Sequence, residues 1–162
     1  MLLRSATLGP GDSAPDFTLP SNRGDAQSLH DYLARGAVVL VFHRGTWCPN
    51  CQRRFGELAD RAGEIGARGA SIVAVLAQKA SAVRRYVEDR GLPFFILLDE
   101  HRAVTKRYGV WQRINYDAWN IARPAVFVIE TSGVIRAVWV GETQGEFPSP
   151  DDIIAATAGL SG

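Results

Sequence analysis

The chain has 162 residues, of which 46% are hydrophobic and 22% are charged, and its formal net charge at pH 7 is +1. This size and composition are typical of one globular domain, 1–162, and the balanced charge argues against a nucleic-acid-binding protein. No apolar run is long enough to cross a bilayer, and no secretion signal is recognisable. We therefore expect a cytoplasmic protein that is not bound to a membrane.

The residue pattern predicts alternating strands and helices, followed by a β-hairpin and a last helix. Strands are predicted for the apolar runs 37–42, 71–76, 93–98, 125–129 and 134–140. Helices are predicted for 28–35, a segment after Cys51 that reaches the glycines at 66 and 69, 81–90, 100–108 and a segment after Ser149. This order predicts an α/β fold with a mixed central sheet and helices on both of its faces.

Two less regular segments accompany these elements. Residues 9–24 predict an N-terminal loop or short hairpin centred on 16–19, and residues 110–123 predict a long connection. The connection holds Trp111, Tyr116 and Trp119. These side chains either line a substrate groove or, as is more usual for such tryptophans, cover one end of the sheet.

Several polar residues near the first strand have a structural and a functional interpretation. His43 is predicted to end the strand and pack against the next helix, with a role as general base as the alternative. Arg44 is close enough in sequence to influence nearby thiolates. The arginine pairs 53–54 and 84–85 are predicted to lie on solvated helix faces.

The two cysteines, Cys48 and Cys51, lie three residues apart where the first predicted strand passes into a helix. Residues at this spacing face the same side of a first helical turn, within reach of a disulfide. The positive end of the helix stabilises a thiolate there, so the pattern predicts reversible dithiol chemistry. The histidines at 30, 43 and 101 lack the spacing of zinc ligands, and we expect no metal or other cofactor.

Together with other motifs, this segment resembles the thioredoxin-fold, peroxiredoxin-like proteins of the alkyl hydroperoxide reductase and thiol-specific antioxidant (AhpC/TSA) family. The resemblance rests on residues 11–19, 41–51, 98–99, 108–110, 123–129 and 133–135. It implies a thioredoxin fold with an N-terminal peroxiredoxin-like extension. It also implies a cis Arg123–Pro124 bond whose backbone groups pair with an extended substrate, whereas the alternative is a trans proline that opens a strand.

The resemblance leaves two mechanisms open. In a thiol-disulfide oxidoreductase, Cys48 is the exposed nucleophile, Cys51 resolves the mixed disulfide, and Trp47 shields the site. In a thiol-dependent peroxidase, the family's peroxidatic cysteine falls on Cys51, and Cys48, in the place of the family's threonine, is the resolving residue. Arg44 then replaces the family's proline, and Arg123 matches the arginine that lowers the thiolate's pKa.

These departures from the family's pattern favour disulfide exchange over peroxide reduction. The predicted catalytic residues are Cys48, Cys51 and Arg123, and the predicted substrate-binding residues are Arg44, Trp47 and Pro124. The substrate would be a protein disulfide or a peroxide, with thioredoxin or glutaredoxin as the reductant and a homodimer as an open alternative. A non-enzymatic redox-sensing binding protein is the third hypothesis.

Overall fold

The structure, a computed structural model, describes residues 8–115, 118–142 and 146–160, with the backbone alone at 114–115 and 118–120. The strands are β1 (Thr18–Pro20), β2 (Ala26–Ser28), β3 (Ala37–His43), β4 (Ala70–Leu76), β5 (Phe95–Leu98), β6 (Trp111–Asn115), β7 (Ala118–Ala122), β8 (Ala125–Ile129) and β9 (Ile135–Val140). The helices are α1 (Leu29–Leu33), α2 (Pro49–Ala67), α3 (Ala80–Arg90), α4 (Ala103–Arg107) and α5 (Pro150–Ala156).

Five strands form a mixed central sheet in the order β5-β4-β3-β8-β9. Strands β3, β4 and β5 are parallel, whereas β8 runs antiparallel to β3 and pairs with β9 as a hairpin. The predicted mixed sheet, and the alternation followed by a hairpin, are therefore confirmed. The pairs β1–β2 and β6–β7 form two separate two-stranded sheets.

All seven residues of β3 are buried, because helices cover both faces of the sheet. Alternate side chains of a strand point to opposite faces, so Val39 and Val41 belong to one core and Leu40 and Phe42 to the other. The first core includes Phe55 and Leu58 of α2, Val83 of α3 and Ile153 of α5. The second includes Leu29 of α1, Val104 of α4, Phe17 and Tyr108.

Serine side chains cap the starts of two helices. The Ser28 hydroxyl accepts a hydrogen bond from the Asp31 amide at 3.1 Å, and the Ser149 hydroxyl accepts one from the Asp152 amide at 3.1 Å. Each bond pairs an amide that the helix itself leaves without a partner. Helix α3 ends at Gly91, whose left-handed φ of 57° suits a residue without a side chain.

Two segments differ from the predictions. Residues 110–123 are not an irregular connection, because β6 and β7 pair there as an antiparallel hairpin. The N-terminal hairpin is centred not on 16–19 but on the turn after β1, where the Ser21 amide donates to the Asp25 carbonyl at 2.8 Å. Tyr116 and the side chain of Trp119 lie outside the described residues, whereas Trp111 packs against the Lys106 ammonium at 4.8 Å.

The predicted cis peptide bond is absent. No cis bond occurs in residues 8–115, 118–142 or 146–160, so the Arg123–Pro124 bond is trans. Proline has no amide hydrogen to donate, which is tolerated at the start of a strand. The Pro124 carbonyl continues the β8–β9 ladder by accepting a hydrogen bond from the Gly141 amide at 2.8 Å. Within the same ranges, no helix combines the length and the apolar character that crossing a membrane requires.

Candidate active site

The cysteine segment and Pro124 lie at the same end of the central sheet. Phe42 pairs with Ala125 in the antiparallel β3–β8 ladder, and His43 ends β3 one residue later. The segment that follows β3 and the segment that precedes β8 therefore lie at the same end of the sheet. The first carries the dithiol and the second carries Arg123 and Pro124, so the sheet brings together the two segments that the sequence singles out.

Helix α2 begins directly at the dithiol. Cys48 is the N-cap residue, with φ −84° and ψ 120°, and Pro49 occupies the first helical position, where no amide donor is needed. The Cys48 sulfur accepts a hydrogen bond from the Cys51 amide at 3.4 Å. The sulfur thus takes the place that a serine or aspartate oxygen usually has at a helix start.

Two glutamines hold the turn before the helix. The side-chain oxygen of Gln78, which lies two residues after β4, accepts a hydrogen bond from the Thr46 amide at 3.0 Å. The Gln52 side-chain amide donates to the Thr46 carbonyl at 2.7 Å. Both polar groups of the Thr46 backbone are thus paired, which holds the loop that precedes Cys48 against the segment after β4 and against α2.

Both thiols are reduced and buried. Cys48 has no exposed surface, so the prediction that this residue is exposed is wrong. The physical reason is its capping role, which turns the sulfur toward the Cys51 amide. The neighbouring Trp47 is 47% exposed instead, and its indole lies 4.6 Å from the guanidinium carbon of Arg44.

The two cysteines have opposite pKa shifts. Burial alone would raise the pKa of Cys48, but hydrogen bonds from the Cys51 thiol, the Arg44 side chain and the Cys51 amide outweigh it and lower the pKa. For Cys51, burial is the largest cause of the shift. The hydrogen bond to Cys48 and the negative charge on Cys48 act in the same direction, and together they raise the pKa of Cys51 to about 12. The Cys48 thiol is therefore the more easily ionised of the two, and the Cys51 thiol donates a hydrogen bond to its sulfur.

Arg44 supplies the positive charge beside the thiolate. Its side chain is buried at 8% exposure, hydrogen-bonds to Cys48 and stacks on Trp47. Arg123, predicted for this role, forms an ion pair with Glu142 at 3.5 Å. Its Nε atom is buried without a hydrogen-bond partner among the described residues.

Pro124 is buried, and its carbonyl is already paired with Gly141. The Pro124 carbonyl is therefore part of the sheet and is not free to pair with an extended substrate.

A second buried cation, Arg54, was missed by the sequence analysis. Arg53 is solvated, as predicted, and forms a loose ion pair with Glu57 at 3.9 Å, but Arg54 is only 3% exposed. Arg54 lies 4.7 Å from the ring of Phe147, and its Nη1 atom has no hydrogen-bond partner among the described residues. Its spacing of three from Cys51, one helical turn, is the signal that could have revealed it.

His43 lies in the same buried cluster as Arg54. Its ring makes an edge contact with Phe55 at 4.7 Å and stacks on Phe147 at 4.9 Å, so the predicted packing against the helix is present. Neither ring nitrogen has a hydrogen-bond partner among the described residues. Burial first, and then the charge of Arg54, lower the pKa of His43 to about 3, so the ring is neutral at pH 7.

The fold and the dithiol define a thioredoxin-fold redox protein. The model of the AhpC/TSA family matches residues 10–138, and the chain belongs to this family. It is 27% identical to peroxiredoxin Bcp of Escherichia coli K12 over 134 residues, which are 82% of this chain and 85% of the relative. It is 29% identical to thiol-disulfide oxidoreductase ResA of Bacillus subtilis over 136 residues, 83% of this chain and 69% of the relative.

A solved structure agrees with these relatives. The crystal structure of peroxidoxin BcpB from Mycobacterium tuberculosis matches with a TM-score of 0.81 at 25% identity, covering 93% of this chain and 96% of that one. The predicted family, the thioredoxin fold and the class of thiol-dependent oxidoreductase are thus confirmed. The relatives include a peroxiredoxin and a thiol-disulfide oxidoreductase, which supports both interpretations of the dithiol.

Proposed function

We propose that the protein is a thiol-disulfide oxidoreductase in which Cys48 attacks the substrate and Cys51 resolves the intermediate. The observation that carries the proposal is the asymmetry of the two thiols. Cys48 caps the helix, and the Cys51 amide and Arg44 stabilise its thiolate, whereas the pKa of Cys51 is raised to about 12. The thiolate is the nucleophile in disulfide exchange, so the first attack belongs to Cys48.

The reaction then proceeds in two exchanges. The Cys48 thiolate attacks one sulfur of the substrate disulfide, the substrate S–S bond breaks, and one substrate thiolate leaves with the electron pair. Cys51 next loses its proton and attacks the Cys48 sulfur, which releases the second substrate thiolate. The substrate is reduced by two electrons, and the protein retains a Cys48–Cys51 disulfide that an external dithiol must reduce.

The order of these exchanges follows from the electrostatics of the site. The negative charge on Cys48 is one of the causes that hold the pKa of Cys51 high. Formation of the mixed disulfide removes that charge, so Cys51 becomes easier to deprotonate only after the first attack. A Cys51 thiolate and the buried Arg54 guanidinium attract one another, which favours the second step.

Variants of each cysteine test this proposal. With a disulfide substrate, Cys51→Ser should accumulate a mixed disulfide on Cys48, whereas Cys48→Ser should form none at a comparable rate. Substoichiometric iodoacetamide at pH 7 should alkylate Cys48 first, as located by peptide mass spectrometry. Preferential alkylation of Cys51, or a mixed disulfide in Cys48→Ser only, would contradict the proposal.

Peroxide reduction is the second candidate function, and family membership together with the peroxiredoxin relative favours it. The raised pKa of Cys51 argues against the predicted attack by that residue, and we propose that Cys48 takes the oxygen. Its thiolate attacks the peroxide, the O–O bond breaks, and an alcohol or water leaves; Cys51 then condenses with the sulfenic acid and releases water. Dimedone labelling of each single-cysteine variant locates the sulfenic acid.

We further propose a single domain over 1–162 that works in the cytoplasm and receives electrons from a thioredoxin- or glutaredoxin-type dithiol protein. A reducing compartment keeps the pair in its reduced, reactive state. A redox-sensing protein without turnover is the third alternative. It predicts a single oxidation with no multiple turnover in the presence of any thiol reductant.

A further inference from the structure

A cavity of about 640 Å³ opens next to the turn that carries the dithiol. Arg44 and Trp47 line it on the side of the turn, the segment from Gln78 to the start of α3 lines a second side, and residues 100–102 before α4 line a third. Its volume is in the range of pockets that hold small molecules. The cavity is thus large enough for a low-molecular-weight ligand beside the turn that precedes Cys48.

The charged groups around the cavity are mostly positive. Arg44, Lys79 and Arg102 contribute three cations, whereas Glu100 contributes the single carboxylate among the lining residues. Lys79 and Glu100 are exposed, and Arg102 is half-buried. A pocket lined largely by one sign of charge concentrates ligands of the opposite sign.

Helix α3 adds to the positive electrostatic potential around the cavity. Lys79 is its N-cap residue and makes no side-chain capping bond, and the first turn holds no acidic residue. Ser81 and Ala82 of that turn line the cavity. The positive end of this eleven-residue helix therefore borders the cavity, and its own first turn carries no acidic side chain.

Arg44 connects the cavity to the chemistry. The same side chain that lines the cavity hydrogen-bonds to Cys48 and stacks on Trp47. A ligand anion in the cavity would therefore contact the same arginine that hydrogen-bonds to the attacking sulfur. The shared residue distinguishes this cavity from a surface depression unrelated to the site.

We propose that the cavity is an anion subsite that selects low-molecular-weight disulfides carrying a carboxylate. The inference rests on the proposed disulfide-exchange function and names the substrate class for that site. The carboxylate lies among Lys79, Arg102 and the start of α3, and the adjacent sulfur is presented to Cys48. The Cys48–substrate S–S bond forms, the substrate S–S bond breaks, and the distal thiolate leaves with the electron pair.

Three disulfides with the same reactive group and different charge test the proposal. They are 3,3′-dithiodipropionate, its neutral diamide and the cationic cystamine, each mixed with pre-reduced protein in single-turnover experiments. The variants are Lys79→Gln and Arg102→Gln. The matched control is Arg84→Gln, since Arg84 is an exposed arginine of α3 that does not line the cavity.

Each cavity variant should lower the second-order rate constant for the dianion by about two- to fivefold, the range expected for one partly exposed charge pair. The diamide and hydrogen peroxide rates should stay unchanged, which also shows that the variants are folded. Arg84→Gln should leave all rates as in the wild type. Equal losses for dianion and diamide, or an equal loss in Arg84→Gln, would overturn the anion subsite.

Binding is measured separately from turnover, so that the two proposals fail independently. In Cys48→Ser, dithiodipropionate should shift the amide NMR resonances of residues 79–82 and 100–102, and Lys79→Gln should weaken this binding. Reaction with the disulfides no faster than that of a free thiol would overturn the exchange function alone. The absence of localised shifts would overturn the subsite.

Discussion

The backbone amide of Cys51 donates a hydrogen bond to the Cys48 sulfur at 3.4 Å, so the second cysteine of the pair helps to prepare the first. The contact depends on the N-cap conformation of Cys48 and persists whatever side chain occupies position 51. A Cys51→Ser variant therefore keeps the amide bond, and a hydroxyl that cannot form a disulfide replaces the thiol. This makes it suitable for isolating the first step of the reaction.

Arg44→Gln should raise the pKa of Cys48. Burial favours the neutral thiol, and the hydrogen bond and positive charge of Arg44 oppose it. The pH profile of iodoacetamide alkylation, followed at Cys48 in the Cys51→Ser background, should shift its midpoint to higher pH. The exposed Arg53→Gln is the control and should leave the midpoint in place. An unshifted midpoint in Arg44→Gln would show that Arg44 only packs against Trp47.

Arg54→Met should slow the second exchange and leave the first unchanged. Methionine retains bulk against Phe147 but removes the cation that favours a Cys51 thiolate. With 5,5′-dithiobis(2-nitrobenzoate), each exchange releases one coloured thiolate, so stopped-flow absorbance separates the two steps. Arg53→Met serves as the control because its side chain is exposed. If both phases slow equally, Arg54 acts only on the structure of the site.

His43→Phe should reduce the loss of stability in acid. The pKa of His43 is about 3 in the folded protein, against about 6.5 for an unperturbed histidine. The unfolded chain therefore binds the proton first, and this contribution to stability is present above about pH 6.5 and lost as the pH falls toward 3. Phenylalanine is of comparable shape and suits the contacts with Phe55 and Phe147.

Urea unfolding at pH 7.5 and pH 4.5 measures this effect. The free energy of unfolding should fall less between the two pH values in His43→Phe than in the wild type. His30→Gln, at an exposed position, is the control. An identical fall in His43→Phe and the wild type would mean that His43 does not contribute to acid sensitivity.

Two glycine substitutions should have opposite effects on stability. A Cβ atom at Gly36 would lie 2.2 Å from the Gly69 carbonyl oxygen, where the starts of β3 and β4 meet. Because that neighbour is backbone, Gly36→Ala should destabilise the fold by about 1–3 kcal/mol, the usual cost of overpacking. Gly63→Ala on α2 meets no atom within 4 Å and should stabilise it by about 0.5–1 kcal/mol.

Urea midpoints of the two variants and the wild type decide this prediction. A wild-type midpoint in Gly36→Ala would mean that the two strands can separate at their start without cost. A lower midpoint in Gly63→Ala would show that this part of α2 is not helical in solution. Neither position touches the dithiol, so both variants should keep the wild-type rate of Cys48 alkylation.

The sequence predicts those parts of the fold where one physical effect dominates. The runs at β3 and β4 are apolar at nearly every position, which is what a strand covered on both faces requires. Ser28 and Ser149 reveal helix starts because a hydroxyl pairs a free amide. The hairpin β6–β7 lacks this kind of signal, since its strands contain polar residues and the sequence between them contains no glycine.

At the site, the sequence identifies the reactive pair but not the environment that makes the two thiols unequal. The spacing of Cys48 and Cys51 and their place before a helix are visible in the residues. The burial of Arg54 depends on Phe147, which is distant in sequence, and no local pattern reports that contact. The resemblance to a family was informative for the fold but wrong for the geometry of Pro124.

The complete burial of Cys48 has a kinetic consequence. A sulfur without accessible surface reacts only while the turn around Trp47 is open, so its reactivity is the product of an intrinsic rate and an opening equilibrium. At high reagent concentration, the modification rate should level off at the rate of opening. The resting enzyme is thereby protected from indiscriminate oxidants, and a substrate that itself promotes opening gains an advantage over one that does not.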